Sequence, residues 1–204
     1  MRKIPREYEH PLDNVLLDWA DATLPLVRAL GLNPNQVTVG SAALGGLAVW
    51  ALAAGRLRTF LAAHFLSNFL DYVDGHYARS DNMVTVLGDW LDHGSDVLYV
   101  LAFAAVVAYK TGWPGMLQPL GVLALFCVLS QVHLGCQQRY YKRHRQPGEY
   151  EPETLDAAAC LCRSPDDDGA SWLRFTRFFG VATLQIVFAL VAYYYVFRRN
   201  AAPK

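Results

Sequence analysis

Four carboxylates set among long apolar runs constrain this fold more than any other feature of the sequence. They belong to Asp71, Asp74, Asp92 and Asp96. A charge surrounded by apolar residues is costly and marks a functional site by default. Residues three or four apart share one face of a helix, so the first two carboxylates would lie on one helix and the last two on another. Two such helices facing each other would gather all four.

Carboxylates this close cannot all stay ionised without a compensating charge, and a divalent cation is the expected compensation. Hard oxygen ligands select Mg²⁺, Mn²⁺ or Ca²⁺ over softer metals. The residues between the acids suit a phosphate compound. Gly75 and Gly88 remove side chains where a ligand would approach the backbone, and Ala78 is also small. Arg79 supplies a planar donor fork suited to a phosphate.

The spacing of these residues resembles a known signature. Residues 71–96 match the pattern D-x2-D-G-x2-A-R-x8-G-x3-D-x3-D at all eight fixed positions. This is similar to the signature of the CDP-alcohol phosphotransferases, the membrane enzymes that make phospholipids. The resemblance implies transfer of a phospho-alcohol group from a CDP-linked donor to a hydroxyl acceptor, with release of CMP. A CDP-linked donor and a lipid are therefore the expected substrates.

The same resemblance assigns roles to individual residues. Asp96, the last acid of the pattern, would be the general base that takes the proton of the acceptor hydroxyl. Two Mg²⁺ or Mn²⁺ ions are implied as cofactors, with four aspartates as metal ligands: Asp71, Asp74, Asp92 and Asp96. Six residues would surround the CDP group: Asp71, Asp74, Gly75, Ala78, Arg79 and Gly88.

Two branches of this family compete for the substrates. Residues 87–96, LGDWLDHGSD, resemble the L-G-E-x-x-D-H-G-x-D stretch of choline and ethanolamine phosphotransferases, which use CDP-choline or CDP-ethanolamine and diacylglycerol. The short chain instead suits the branch that joins CDP-diacylglycerol to inositol, glycerol phosphate or serine. Residues 74–76, DGH, and 173–175, LRF, loosely resemble inositol phospholipid synthases. We favour the aminoalcohol branch and keep the second branch open.

A function without catalysis is the remaining alternative. Carboxylates at membrane depth also mark ion pathways, so the chain could be an acidic-lined transporter or an ion-binding scaffold. A transporter has no need of Gly75, Ala78, Arg79 and Gly88 at this spacing, and this set therefore favours the enzyme.

The apolar segments predict an all-α integral membrane protein with a single domain over residues 1–204. Five transmembrane helices are expected as a bundle over residues 37–197, and a sixth is left open. Their ranges are 37–54, 59–79, 83–109, 116–138 and 172–197. Residues 1–36 are expected to be cytoplasmic or interfacial, with an amphipathic surface helix at 12–30. An ordinary packed helix at 12–30 is the alternative. Asn35 is expected to cap the first span.

The distribution of Lys and Arg predicts the orientation. These residues are more frequent on the side of the N terminus, which indicates a cytoplasmic N terminus and a cytoplasmic active site. The membrane would be that of the endoplasmic reticulum or Golgi in a eukaryote and the inner membrane in a bacterium. Five basic residues near the inner ends of the last two spans are expected to supply at least one phosphate contact: Arg139, Lys142, Arg143, Arg174 and Arg177.

The charge balance and the cysteines complete the predictions. The formal net charge is +0 at pH 7, which indicates no bulk acidic or basic partner, and no nucleic acid is expected to bind. Cys127 and Cys136 lie in an apolar segment and are predicted to be packing residues. Cys160 and Cys162 are predicted to be free thiols in a cytosolic loop, because no second ligand pair has zinc spacing. The family resemblance leaves a homodimer open.

Overall fold

The computed structural model describes residues 2–145, 154–166 and 168–198, and within these ranges all regular secondary structure is helical. The predicted all-α fold is therefore confirmed. The predicted single domain also includes residues 1, 146–153, 167 and 199–204, which lie outside the described residues.

The first long helix, α1 (Pro11–Ala29), has one buried and one exposed face. Its buried stripe includes Leu17 and Leu24 and packs against α3 (Leu57–Ser80). Trp19, on the other face, is 60% exposed. A helix with apolar residues on both an inner and an outer side suits the predicted place at the membrane surface, beside the bundle.

The bundle contains α3 and four further helical segments: α2 (Pro34–Ala53), α4 (Val86–Thr111), α5 (Leu117–His144) and the C-terminal segment Ala170–Arg198. These four are long and apolar enough to cross a membrane by length and composition. The third helix, predicted as a span over 59–79, is not among these four, and it carries the polar residues of the predicted site. It packs extensively against α2, and its place as a fifth span stays a prediction. No sixth long apolar helix occurs in the described ranges.

The N terminus of α2 differs from the prediction in its cap. Asn33, and not Asn35, is the capping residue. Its side-chain oxygen accepts a hydrogen bond from the Gln36 backbone N–H at 2.9 Å, and the Gln36 side chain accepts one from the Asn33 N–H at 2.9 Å. This reciprocal pair is a capping box, which satisfies two otherwise orphaned donors. The Asn35 side chain is therefore not used to cap α2.

The C-terminal segment agrees with the predicted span over 172–197 in length and composition, but its helix is interrupted. It consists of α7 (Ala170–Thr176), a 3₁₀ turn (Arg177–Phe179), α8 (Val181–Val191) and a π-helical segment (Ala192–Arg198). The short α6 (Asp156–Ala159) precedes them.

The break at Gly180 has a cause in α1. The Asp13 side chain accepts a hydrogen bond from the Ala182 backbone N–H at 3.1 Å and so caps the first turn of α8. Tyr72 donates to the same carboxylate at 2.7 Å. A Cβ at Gly180 would lie 3.0 Å from Asp13 Oδ2, so a side chain there would push the cap away. Asp13 of α1 thus interrupts the C-terminal span. The sequence periodicity of the span itself does not reveal this interruption.

The main core is aromatic and lies between α3, α4 and α8. Phe60, Phe103 and Phe188 are each at most 1% exposed, and the last two rings meet edge to face at 4.6 Å. On α2, Gly45 lets the neighbouring helices approach, because a Cβ there would lie 3.3 Å from both Ser67 and Tyr99. Close packing of α2, α3 and α4 holds the two acid-bearing helices together.

Two of the cysteines are joined, which corrects the predictions for both. Cys136 on α5 and Cys162 form a disulfide, so the first is more than a packing residue and the second is not a free thiol. Gly135 makes this possible, since a Cβ there would overlap the Ala158 carbonyl of α6. The segment after α5 therefore folds back closely onto it. Cys127 and Cys160 remain free thiols.

Candidate active site

The carboxylates of Asp71 and Asp74 on α3 and of Asp92 on α4 come together, as the helix spacing predicts. One ligand atom from each lies within 4.8 Å of the other two. Asp74 Oδ2 and Asp92 Oδ1 are buried without a hydrogen-bond partner. Buried carboxylate oxygens are costly unless a cation or donor satisfies them. The three acids therefore fit a divalent cation, which prefers oxygen ligands.

Asp96 lies one turn beyond Asp92 on α4 and is not a member of this three-acid group. It lines a second cavity, which it shares with Asp71. Asp71 is therefore a member of the candidate metal-binding group and also lines the second cavity. The roles of Asp96 as general base and as fourth metal ligand stay predictions.

A pocket of about 100 Å³ lies against Asp74 and Asp92, and we call it the polar pocket. It brings together most of the predicted donor-binding residues: Asp74, Gly75, Ala78, Arg79 and Gly88. The sequence did not identify five further lining residues: Lys3, Asn35, Thr38, Asp89 and Tyr141. Most of these lie outside the sequence pattern, and only the structure brings them to it.

The two glycines of the pattern make room for protein groups at the edge of this pocket. A Cβ at Gly75 would lie 3.2 Å from Nη1 of Arg79, so the glycine lets the guanidinium lie against α3. A Cβ at Gly88 would lie 2.8 Å from Oδ1 of Asn35. The Gly88 N–H also donates to Thr85 Oγ1 at 3.0 Å, which caps α4. The glycines thus fix the pocket's polar walls as well as leaving space in it.

The polar pocket contains a second cation besides Arg79. The Lys3 ammonium lies 5.9 Å from the centre of the Tyr141 ring, and burial together with the nearby Arg79 charge lowers its pKa to about 8. Among the described residues, no carboxylate lies within 4 Å of this ammonium. The neighbouring Glu9 is 6% exposed, and burial raises the pKa of its carboxyl to about 7.

The second cavity is larger, at about 320 Å³, and it extends from Asp96 towards the middle of the spans. Its apolar walls include Val49 of α2 and Ala102 of α4, and its lining contains no Lys, Arg or His among the described residues. Other polar groups come from hydroxyl and amide side chains: Ser41, Ser67, Asn68, Tyr99 and Gln185.

Two residues that line this cavity, Tyr99 and Gln185, belong to a hydrogen-bond network with His64. His64 Nε2 lies 3.0 Å from the Gln185 backbone carbonyl, which can only accept, so this nitrogen is the donor. In a neutral imidazole Nδ1 then accepts, and the Tyr99 hydroxyl, 2.7 Å away, donates to it. The phenolic oxygen keeps its lone pairs for another donor. The side-chain oxygen of Gln185 is buried without a hydrogen-bond partner.

Four of the five predicted basic residues of the last two spans have protein partners, and none of the five lines the polar pocket. Lys142 pairs with Asp156 at 2.6 Å, and Arg139 donates to the Cys162 carbonyl at 2.9 Å. Arg177 donates to the Glu7 carbonyl at 2.7 Å. Arg174 lies over the Tyr8 ring, and Arg143 borders a separate exposed groove. Their predicted phosphate contact stays a prediction.

Comparison with known families agrees with this geometry. The CDP-alcohol phosphatidyltransferase family model matches residues 32–147, which include α2 to α5 and all eight fixed positions of the pattern. The chain therefore belongs to the CDP-alcohol phosphatidyltransferase family. It is an integral membrane enzyme that transfers a phospho-alcohol group from a CDP-alcohol in phospholipid synthesis. No curated protein and no solved structure matches the chain.

Proposed function

We propose that the enzyme transfers phosphocholine or phosphoethanolamine from its CDP derivative to diacylglycerol and releases CMP. The observation that carries this proposal is the second cavity beside Asp96. It extends to the depth of the spans and offers apolar walls and uncharged polar groups. An uncharged lipid alcohol suits such a cavity, whereas glycerol phosphate would need a cation there.

The hydrogen-bonding character of the cavity supports an alcohol acceptor. Within the part of the chain that the structure describes, no group donates to the Tyr99 oxygen or to the buried Gln185 side-chain oxygen. A hydroxyl group of diacylglycerol is a donor, and satisfying a buried acceptor avoids its desolvation penalty. Asp96 lines the same cavity and is proposed as the base for that hydroxyl.

The features that favoured the inositol branch have other contacts. His76 Nε2 lies 2.5 Å from Asp21 of α1, and its ring does not line either cavity. Arg174 lies over the Tyr8 ring at 6.0 Å. Both contacts give these residues a structural role. Transfer from CDP-diacylglycerol to inositol, glycerol phosphate or serine therefore remains the second candidate, without a structural observation of its own.

The proposed reaction is a single displacement at phosphorus. Asp96 takes the proton of the acceptor hydroxyl, and the acceptor oxygen forms a bond to the phosphorus that carries the aminoalcohol. The bond from that phosphorus to the bridging oxygen breaks, and CMP leaves with the electron pair. Arg79 holds the pyrophosphate. Mg²⁺ or Mn²⁺ held by Asp71, Asp74 and Asp92 would neutralise its charge when bound.

A substrate panel tests this proposal. Purified protein in lipid nanodiscs is incubated with Mg²⁺ and either CDP-choline or CDP-ethanolamine plus diacylglycerol. Parallel samples contain CDP-diacylglycerol plus inositol, glycerol phosphate or serine. We expect CMP and phosphatidylcholine or phosphatidylethanolamine, identified by mass spectrometry, from the first set alone. Product from the second set alone would overturn the proposed substrates, and the Asp92→Asn variant serves as the inactive control.

We further propose that the active site faces the cytoplasm, which the distribution of Lys and Arg supports. The Cys136–Cys162 disulfide favours the opposite orientation. It lies one to two turns from the pocket residue Tyr141, and disulfides persist in oxidising compartments and not in the cytosol. Cys160, an exposed free thiol near this end of α5, can decide between the two. With Cys127 replaced by Ser, a membrane-impermeant maleimide should label inverted vesicles only. Labelling of right-side-out vesicles would contradict the proposed cytoplasmic active site.

A further inference from the structure

The N-terminal segment before α1 lies outside the family match at residues 32–147, yet it lines the polar pocket. Its contribution is Lys3, whose side chain borders the pocket together with Arg79, Asp74 and Asp92. The lysine therefore shares this pocket with two acids of the candidate metal site and with the arginine of the family pattern.

The neighbours of Lys3 in sequence hold it at this place. On one side Arg2 donates to Asn14 at 2.8 Å and pairs with Asp18 at 2.6 Å, both on α1. On the other side Ile4 is 2% exposed and packs into a cluster with the disulfide residue Cys136. A residue fixed from both sides loses little further entropy when it binds a ligand. Lys3 is thus presented to the pocket by anchored backbone.

The charge of Lys3 makes no salt bridge with any residue of the described ranges. Its ammonium lies 5.9 Å from the centre of the Tyr141 ring. Asp89 and Asp92 act on it only over a longer distance. A half-buried ammonium without a paired carboxylate is costly unless an anion binds beside it.

We propose that Lys3 binds a phosphate of the CDP donor, so that the N-terminal segment forms part of the donor site. A pyrophosphate offers two phosphate groups, and Arg79 and Lys3 supply two cations on one pocket. Arginine suits a planar, two-pronged contact, and lysine acts as a compact charge that follows a flexible phosphate. The proposal rests on the CDP donor of the family and not on which alcohol accepts the group.

Binding of CDP to the purified full-length protein with Mg²⁺, measured by calorimetry, tests the proposal. The Lys3→Gln variant removes the charge at nearly constant length, and we expect CDP affinity to fall roughly tenfold to hundredfold. Lys3→Arg should keep most of the affinity. Arg6→Gln is the matched control, because it removes a cation of the same segment that pairs with Asp18 on the surface. It should bind CDP like the wild type.

Each alternative outcome has a defined meaning. CDP affinity of Lys3→Gln within about twofold of wild type would overturn the proposal, as would an equal loss in Arg6→Gln. A loss in Lys3→Arg as large as in Lys3→Gln, or a lowered melting temperature in both, would indicate a structural role and also overturn it. If CDP binding depends on Lys3 but CDP-choline and CDP-ethanolamine yield no phospholipid, only the proposed substrates fail.

Discussion

The two cavities of this enzyme adjoin the same cluster of acids but differ in charge. The polar pocket combines Asp74 and Asp92 with the cations of Lys3 and Arg79 and has a volume of about 100 Å³. The second cavity, at about 320 Å³, contains no Lys, Arg or His among its described lining residues. If the proposed substrates are correct, this difference would favour the charged CDP donor in the polar pocket and the uncharged diacylglycerol in the second cavity. The transferred phosphorus would then lie at the acids between the two cavities.

Removal of divalent cations should give the largest effect, and it should affect one cavity only. Without a cation the clustered carboxylates repel a pyrophosphate, so CDP binding and CMP release should both fall to background in chelator. Binding of diacylglycerol, followed with a fluorescent analogue, should persist because the second cavity depends on neutral groups. Adding Mg²⁺ back is the control. Full turnover after rigorous metal removal would contradict the metal-dependent mechanism.

Asp96→Asn should separate the two cavities by function. Asn keeps the size of the side chain but cannot accept the proton, so turnover should fall roughly 10²–10⁴-fold, the usual worth of general-base catalysis. CDP binding, measured by calorimetry, should survive because Asp96 lies outside the three-acid group. Asp74→Asn is the matched comparison and should lose both binding and turnover. Equal loss of CDP binding in both variants would make Asp96 an ordinary metal ligand.

Gln185→Leu tests the second cavity, which Gln185 lines. The substitution removes the buried oxygen proposed to accept the lipid hydroxyl, and the KM for diacylglycerol should rise roughly three- to tenfold. The KM for the CDP donor should not change. Ile186→Ala, at the neighbouring position and 40% exposed, is the control for helix α8. A rise in both KM values would show that Gln185 supports the fold and does not recognise the acceptor.

The disulfide should affect the polar pocket through the N-terminal segment. Ile4 packs with Cys136 and Cys162, so loss of the bond should loosen the backbone that presents Lys3. In the double variant Cys136→Ser/Cys162→Ser we expect the donor KM to rise roughly two- to threefold, with the acceptor KM unchanged. Cys127→Ser/Cys160→Ser removes two free thiols and should behave like wild type. An unchanged donor KM in the Cys136→Ser/Cys162→Ser variant would show that the disulfide does not affect the polar pocket.

Parts of the site that depend on spacing within a helix could be predicted from the sequence. Asp71 and Asp74 are three residues apart, and Asp92 lies on the next helix, so helical periodicity and a known pattern suffice to bring them together. The long apolar spans follow from composition in the same way. The break at Gly180 could not be predicted, because its cause is the carboxylate of Asp13, far away in sequence.

The same physical distinction explains the other errors. The positions of Lys3 and Asn35 at the polar pocket depend on how the N-terminal segment and α2 pack against the acids, and no local pattern encodes this. Cys136 and Cys162 looked like unrelated cysteines because the return of the chain onto α5 depends on Gly135 meeting α6. Sequence reasoning failed where separate elements meet and succeeded where one helix sets the geometry.

The smallest effect concerns Glu9, which lies near the cations of the polar pocket and has a pKa raised to about 7 by burial. A carboxyl whose folded pKa lies above its unfolded value near 4.5 binds its proton more tightly in the folded state. The contribution of this carboxyl to stability is therefore fully present below pH 4.5 and is lost as pH rises to about 7. Glu9→Gln removes this dependence, so the variant should melt a few degrees above wild type at pH 8 and close to it at pH 5.

The control for this measurement is Glu7→Gln, in the same segment but with an exposed side chain. It should leave the pH dependence of melting as in wild type. A Glu9→Gln variant that melts below wild type at pH 8 would mean that the ionised carboxylate stabilises Arg79 by more than its burial costs. In that case the protein itself would neutralise part of the polar pocket's charge. The contrast between the two cavities would then be smaller than the structure indicates.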